Sequence, residues 1–374
     1  MITRRHFLTN TLKGVALTGT APLLTPFWSE PSNEPETMTE DQKIARKHYR
    51  LPYHSGLGGV AIGNGFKPTS DKDAEQALEA AWAQGVRYFD TSPWYGLGLS
   101  ERRFGHFLKN QKREDYVLST KVGRILKATK TPPKALWQNP SPFQHAYDYT
   151  ASGVRRSVED SLQRLGLDSI DIVFIHDLSP DNGDLKERWT EQFEIAAKGA
   201  MPELTKMREE GIIKGWGLGV NTIEPILKTL EVADPDVCLS ATQYSLMYHQ
   251  DALDRLFPAC EKKDVSIVVG APLNAGFLAG VDRYNYSGQM PEGYKEKREK
   301  ISAIAKKHGT DLRTVALHFS AAPSFVSAVI PGARTAQQAS ENAISMKAKV
   351  PAEVWQELKA QKLISEQAPT PKVG

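Results

Sequence analysis

From about residue 51 onward, short apolar runs alternate with stretches whose apolar positions recur at helical spacing. The short runs read as strands at 59–63, 86–91, 116–122, 170–175, 213–220, 237–244, 265–270 and 327–330. Between them the spacing predicts a helix over 71–84, with Ala74, Ala77, Leu78, Ala81 and Trp82 on one face and Gly85 after its end. Further helices are predicted from Ser100, with Phe104 and Leu108 inward, and over 151–165, which Gly166 closes. Others are predicted over 200–210 (closed by Gly211), 224–232, 252–262, 294–307, 311–321 and 335–343. The tail from 351 to 365 reads as one more amphipathic helix carrying Val354, Trp355, Leu358 and Leu363. Only 126–149 breaks the alternation. With Pro132, Pro133, Pro140 and Pro142, it reads as a long irregular insertion.

Strands that alternate with helices pair in parallel. The span 51–346 is close to one (β/α)8 TIM barrel, a fold of about 250 residues. A doubly wound sheet is the other architecture this order allows. The expected organisation is a segment 1–30, a linker 31–50 and a barrel with a C-terminal helix over 51–374. Gly56-Leu57-Gly58-Gly59-Val60-Ala61 imitates a dinucleotide fingerprint, but that motif needs a strand before its glycines and a helix opening on them. Here the glycines precede the expected strand, so the match is set aside.

The first 50 residues carry a different message. Arg4-Arg5 stands before Phe7-Leu8 and a weakly apolar stretch, 11–27, that Lys13, Gly14, Gly19 and Pro22 interrupt. That arrangement fits a twin-arginine export signal better than a membrane span. Residues 29–43 are rich in Pro, Glu, Ser and Thr and read as a tether. The expectations are periplasmic localisation, the twin-arginine translocase as a partner during export, and no stable membrane span. A net charge of +3 over 374 residues points to no nucleic-acid partner. Cys238 and Cys260 have no metal or disulfide spacing and are expected to be buried free thiols.

The candidate chemistry sits at the ends of strand runs, where a barrel builds its active site. Asp90 and Tyr95 follow the second run, Lys121 ends the third and His176 ends the fourth. A phenol, an ammonium, a carboxylate and an imidazole together suggest a proton-transfer site, with Asp90 holding Lys121, Lys121 stabilising the Tyr95 phenolate and His176 hydrogen-bonding a substrate oxygen.

These segments resemble the aldo-keto reductases across nearly all of 51–346. Phe89-Asp90-Thr91-Ser92-Pro93-Trp94-Tyr95-Gly96 is similar to the family's Asp/Tyr segment, and Ser119-Thr120-Lys121-Val122-Gly123 to its lysine strand. Leu165-Gly166-Leu167-Asp168 followed by Asp171-Ile172-Val173 and His176 is similar to its histidine segment. Gln243-Tyr244-Ser245-Leu246 and Ile330-Pro331-Gly332-Ala333-Arg334 also match. The resemblance implies hydride transfer between NADP or NAD and a carbonyl or hydroxyl carbon, with Tyr95 as general acid or base, Lys121 lowering its pKa, Asp90 partnering Lys121 and His176 orienting substrate. It assigns Asn221 and Gln243 to the nicotinamide carboxamide, and Gly332, Arg334, Gln338, Glu341 and Asn342 to the adenosine end. Arg334 offers a fork for a 2′-phosphate, which slightly favours NADP. The ring that stacks on nicotinamide in many members is replaced by Gly270, with Phe277 as a candidate substitute.

A narrower resemblance is to the branch of D-threo-aldose, L-galactose and pyridoxal dehydrogenases. It rests on 143–149, Ser152 to Ser157, Ile175-His176-Asp177, and Pro272 to Leu278 with Tyr284-Asn285-Tyr286. It implies a polar sugar or carbonyl substrate. Two other readings are a nicotinamide-binding redox sensor or accessory subunit with little turnover, which would not need all four catalytic groups, and a metal-dependent hydrolase. The second rests only on His176-Asp177 and lacks further ligands at the other strand ends.

Overall fold

The computed structural model describes residues 48–371. The twin-arginine pair, the apolar stretch and most of the expected linker lie outside the described residues. No helix among the described residues is long and apolar enough to cross a membrane.

Eight parallel strands form the expected barrel: β1 (Leu57–Gly58), β2 (Tyr88–Asp90), β3 (Val117–Val122), then β6 (Ile172–His176), β7 (Gly215–Val220), β8 (Val237–Ala241), β9 (Ser266–Gly270) and β10 (Val326–Ile330). Parallel bridges Ser55–Val329 and Gly58–Gly332 join the last strand back to the first. The register sets Asp90 beside Ser119, Lys121 beside Phe174 and His176 beside Gly219, all at one end of the barrel. Alternate strand residues point inward, so Tyr88, Phe174, Leu239 and Val268 fill the interior below that end. Their outward neighbours, such as Phe89, Val173 and Leu218, pack under the surrounding helices.

The helices begin and end where local chemistry directs. In α1 (Asp71–Ala83), the Ser70 hydroxyl accepts from Asp73 N at 3.0 Å. α2 spans Leu99–Leu108. α3 (Ala151–Leu165) is capped by Thr150 and stopped by Gly166 at φ 64°. α5 (Ala200–Glu209), α6 (Glu224–Val232), α8 (Tyr294–Lys307), α9 (Leu312–Ala321), α10 (Ala336–Lys347) and the C-terminal α11 (Ala352–Ala360) follow the apolar spacing. Val354, Trp355, Leu358 and Leu363 are all buried, as expected of the tail. Both cysteines are free and buried.

Four expectations are corrected. The first strand is 57–58, and 59–63 turns away from the barrel. The glycines belong to the barrel wall because it presses on them: a Cβ at Gly56 would lie 2.6 Å from the Tyr88 ring. No helix opens on them, so the fingerprint still fails. Residues 126–149 are not irregular throughout: β4 (Arg124–Ala128) pairs antiparallel with β5 (Phe143–Tyr147). The prolines fall between the two strands, where they break no ladder. A helix α4 (Trp189–Lys198) was not anticipated. Finally, 252–262 is a π-turn (Ala252–Leu256) leading into a short α7 (Phe257–Lys262), because Pro258 has no N–H to continue the ladder.

Candidate active site

Asp90 ends β2 and Lys121 lies on β3, both about 1% exposed. The Lys121 ammonium donates to both Asp90 oxygens at 2.8 Å and to Thr91 O at 2.9 Å, which uses all three of its N–H groups. Ser119 Oγ donates to Asp90 Oδ1 at 2.7 Å and lies 3.0 Å from Tyr88 Oη. Burial pushes the Asp90 carboxyl up from its ordinary value, while the charge and hydrogen bonds of Lys121 and Ser119 oppose it. The pair is therefore a fully satisfied buried ion pair, whose removal on one side only costs about 3–5 kcal/mol.

Tyr95 sits on the turn between β2 and α2. Its ring centroid lies 4.8 Å from Lys121 Nζ and 5.8 Å from the His176 imidazole. Burial, then the Asp90 carboxylate, holds the phenol well above its ordinary pKa. Lys121 was expected to lower that value. In this structure the Lys121 ammonium is engaged by Asp90, and burial with the Asp90 carboxylate sets the direction of the shift.

His176 ends β6. Its Nδ1 is 3.1 Å from Ser92 Oγ, which also accepts from Trp94 N. We assign Ser92 as the donor to Nδ1, which leaves the proton on Nε2. Burial, reinforced by the Arg124 and Lys121 cations, drives the imidazole pKa well down, so the ring is neutral. Gly123, just past β3, keeps this corner compact. It takes φ 104°, and a Cβ there would meet the Tyr149 ring at 2.3 Å, while Tyr149 Oη donates to His176 O at 3.0 Å.

All four predicted catalytic side chains line one cavity of about 850 Å³. Its second wall comes from the β4–β5 hairpin and the loop after β6, and supplies Arg124, Trp137, His145 and Asp177 with Trp94. Of these, only Asp177 was singled out from the sequence, and then as half of a possible metal pair with His176. Arg124 Nη1 is 3.0 Å from Asp177 Oδ2, and Nη2 donates to Tyr147 Oη at 3.0 Å. His145 Nε2 is 3.1 Å from Asp184 Oδ2. The Arg124 ring contacts are to Trp94 at 4.9 Å and Tyr147 at 5.0 Å. Ser92 and Ser119 were also missed, although both sit inside the quoted motifs; their value lies in orienting a neighbour.

At the other end, Asn221, Gly332, Arg334, Gln338, Glu341 and Asn342 line the same cavity. Gln243 does not: its amide donates to Asn221 O at 2.5 Å, which makes it a support for Asn221. Phe277 is fully buried against Tyr284 and Arg298, so it cannot face a nicotinamide; Tyr286 is the aromatic that lines the cavity from this loop. Arg334 donates to Gly65 O and Lys67 O, and Arg283 lies 3.8 Å over the Phe66 ring. Neither guanidinium meets a carboxylate among the described residues. Thr335 caps α10, whose first turn opens on the cavity beside Gly332. A helix N-terminus flanked by two uncompensated cations fits a phosphate-bearing dinucleotide.

Comparison with known proteins agrees with this geometry. The model of the aldo/keto reductase family matches residues 56–362, and the chain belongs to that family. It is 36% identical over 327 residues to a D-threo-aldose 1-dehydrogenase from Pseudomonas sp., covering 84% of this chain and 94% of that protein. It is 34% identical over 327 residues to a pyridoxal 4-dehydrogenase from Microbacterium luteolum, covering 83% and 94%. Among solved structures, a glycerol dehydrogenase from Gluconobacter oxydans superposes with TM-score 0.63 at 23% identity, covering 85% of this chain and 93% of that one. An aldo-keto reductase from Klebsiella pneumoniae in complex with NADPH gives TM-score 0.59 at 19% identity, covering 85% and 94%; at these identities the two structures speak to the fold alone. The chain is an NAD(P)-dependent aldo-keto reductase, an oxidoreductase with the activity typical of that family.

Proposed function

We propose that the enzyme interconverts a hydroxyl and a carbonyl on a small polar substrate of the aldose or pyridoxal kind, with Tyr95 as the proton donor and acceptor. The observation that carries this reading is the position of Tyr95 between Lys121 and His176, at 4.8 and 5.8 Å, on the wall of the one cavity that also holds the cofactor-like end. A bound nicotinamide supplies or takes up the hydride. The protein's own part is the proton and the alignment. In reduction the substrate oxygen gains the Tyr95 proton as its carbon gains hydride; in oxidation both transfers reverse. A phenol kept protonated by burial suits the donor role. Neutral His176 offers Nε2–H to the same oxygen and fixes its place beside Tyr95. Asp90 and Lys121 hold a fixed cation beside the phenol, which favours the phenolate as it forms.

The names of the two dehydrogenases above support a polar substrate, as do Arg124, His145 and Asp177 on the second wall. Arg334 and Arg283, cations without a carboxylate partner among the described residues, support acceptance of NADP at least as well as NAD. Replacing Tyr95 by Phe removes the proton and little else. Turnover should fall by about 10²–10⁴-fold, the usual contribution of general acid–base catalysis, while cofactor affinity stays near the native value. Steady-state kinetics alongside a cofactor titration checks both. A Tyr95→Phe enzyme that keeps most of its turnover would rule out this mechanism.

A further inference from the structure

His176 has two charged neighbours that the reaction described above does not use. Asp177 follows it directly, and its backbone is pinned on both sides. Asp177 N donates to Gly219 O at 2.9 Å, and Asp177 O accepts from Asn182 Nδ2 at 2.8 Å. These bonds hold φ 45°, a conformation that few residues other than glycine adopt, although Asp tolerates it better than most. With the backbone held there, Asp177 Oδ2 lies 3.5 Å from His176 Nε2. The same oxygen lies 3.0 Å from Arg124 Nη1. Arg124 is fixed in its turn. It stands opposite Tyr147 in the β4–β5 ladder, its Nη2 donates to Tyr147 Oη at 3.0 Å, and its guanidinium lies 4.9 Å from the Trp94 ring.

One carboxylate oxygen thus stands between a permanent cation and the N–H that the substrate oxygen needs. An unpaired carboxylate this close to an imidazole favours the charged ring and competes for its N–H. Arg124 is the nearer of the two partners, and its guanidinium is always charged. The other groups that face His176 are already engaged elsewhere. Ser92 and Tyr95 face it from the turn after β2, Lys121 from β3 and His145 from β5, while the β7 residue beside it is Gly219. Lys121 spends its N–H groups on Asp90 and Thr91 O, and His145 Nε2 is 3.1 Å from Asp184 Oδ2. Asp181 is a second carboxylate near Asp177 and adds no cation to it.

We propose that Arg124 and Asp177 are positioning residues for the reaction: Arg124 holds the Asp177 carboxylate, which leaves the Nε2–H of His176 for the substrate oxygen. This rests on the functional reading above, in which Nε2–H meets that oxygen. The pair acts through His176, so losing Arg124 alone is worse than losing both charges together. Asp177 without Arg124 turns on the imidazole.

The test is nitrogen-15 NMR of the histidine rings in the full chain loaded with NADP, with a His176→Asn variant assigning the signal. Native His176 should be neutral at neutral pH, with its proton on Nε2. Arg124→Gln should raise the pH at which the ring takes up a second proton by about 1–3. That proton goes to the imidazole because the ring is ordinarily more basic than a carboxylate. Adding Asp177→Asn removes the stranded charge, and the ring should again behave as in the native enzyme. Turnover of propanal with NADPH should fall about tenfold in Arg124→Gln and should be faster in the double variant than in the single one. A merely structural brace gives the opposite order, because the double variant has lost more contacts. The proposal is overturned by a native His176 that is an imidazolium or carries its proton on Nδ1 at neutral pH, by a ring in Arg124→Gln that titrates like the native one, or by a double variant no faster than the single one. The first of these outcomes needs no variant, so the test stands even where Arg124→Gln fails to fold. Turnover separates this from the reading beneath it. A native enzyme that transfers no hydride to propanal or from an aldose, with the expected His176 spectra, refutes the function and leaves the charge arrangement. Turnover that Tyr95→Phe abolishes, with a charged native His176, does the reverse.

Discussion

Lys121 and Arg124 leave the same turn of chain, both almost fully buried and both opposite an aspartate, yet they are treated differently. Lys121 spends every N–H on Asp90 and Thr91 O, and Asp90 is braced in turn by Ser119 and Tyr88. Arg124 has an ion pair with Asp177 and a hydrogen bond to Tyr147, but among the described residues its Nε has no partner, and neither has Trp137 Nε1. The first arrangement is complete without a ligand, and its geometry is fixed in advance. The second leaves buried N–H groups without an acceptor among the described residues, so its geometry is less fully determined. The difference separates a network that is complete within the protein from one that leaves N–H groups unpaired among the described residues.

The sharpest way to break this contrast is to unbalance the complete side. Lys121→Met leaves the Asp90 carboxylate buried without its cation and should lower unfolding free energy by about 3–5 kcal/mol. Activity should be lost with it. Adding Asp90→Asn removes the stranded charge, so the double variant should recover much of the stability and none of the activity. Chemical denaturation with parallel kinetics measures both. A single variant as stable as the native enzyme would mean that Lys121 and Asp90 are not a mutually dependent pair, and the contrast with Arg124 would fail.

The same contrast explains what could be read from the chain. Asp90, Tyr95, Lys121 and His176 each stand at the end of a short apolar run, inside a compact motif, so pattern and chemistry coincide. Arg124, Trp137 and His145 meet only because 124–128 pairs with 143–147, and nothing local announces that pairing. Pro132 to Pro142 dominate the stretch and suggest irregularity, whereas they occupy only its connecting loop. Ser92 and Ser119 were in view but carry no chemistry of their own; their function is the bond each makes to His176 or Asp90. Gln243 and Phe277 differ in the opposite direction. Their positions fit a cofactor contact, but one amide is spent on Asn221 O and the other ring lies in the core. What a side chain spends its hydrogen bonds on is settled by tertiary neighbours.

The cofactor end has its own incomplete cations, and they sharpen the comparison with a smaller effect. Arg334 donates to Gly65 O and Lys67 O but meets no carboxylate among the described residues, and Arg283 faces it. Burial, together with Arg283, lowers the Arg334 pKa, which marks a cation that an anion would relieve. Arg334→Ala should weaken NADP by about 1.5–3 kcal/mol more than NAD, the usual strength of a hydrogen bond to a charged group. The loss of the two carbonyl contacts should affect both cofactors alike. Fluorescence titration of each cofactor against both proteins gives the difference directly. Equal losses would show that Arg334 only ties the loop at 65–67 in place.

The finest test deletes a single hydroxyl, once where it is partnered and once where it is not. Tyr88 and Tyr244 are both buried, at 0% and 1% exposure. Tyr88 Oη reaches Ser119 Oγ at 3.0 Å, at the far end of the chain that fixes Asp90. Tyr244 Oη has no partner among the described residues, and its ring stacks on Phe319 at 5.1 Å. Tyr88→Phe should therefore cost about 0.5–1.5 kcal/mol, the net value of one hydrogen bond, and should slow turnover modestly by loosening the brace on Asp90. Tyr244→Phe keeps the stack and removes an atom that is already paying a desolvation penalty, so its stability should be unchanged or slightly higher. Both are measured in the same denaturant titration. Equal losses would mean that hydrogen bonding does not distinguish the two sites, and that the completeness of the Asp90–Lys121 network contributes nothing to its rigidity.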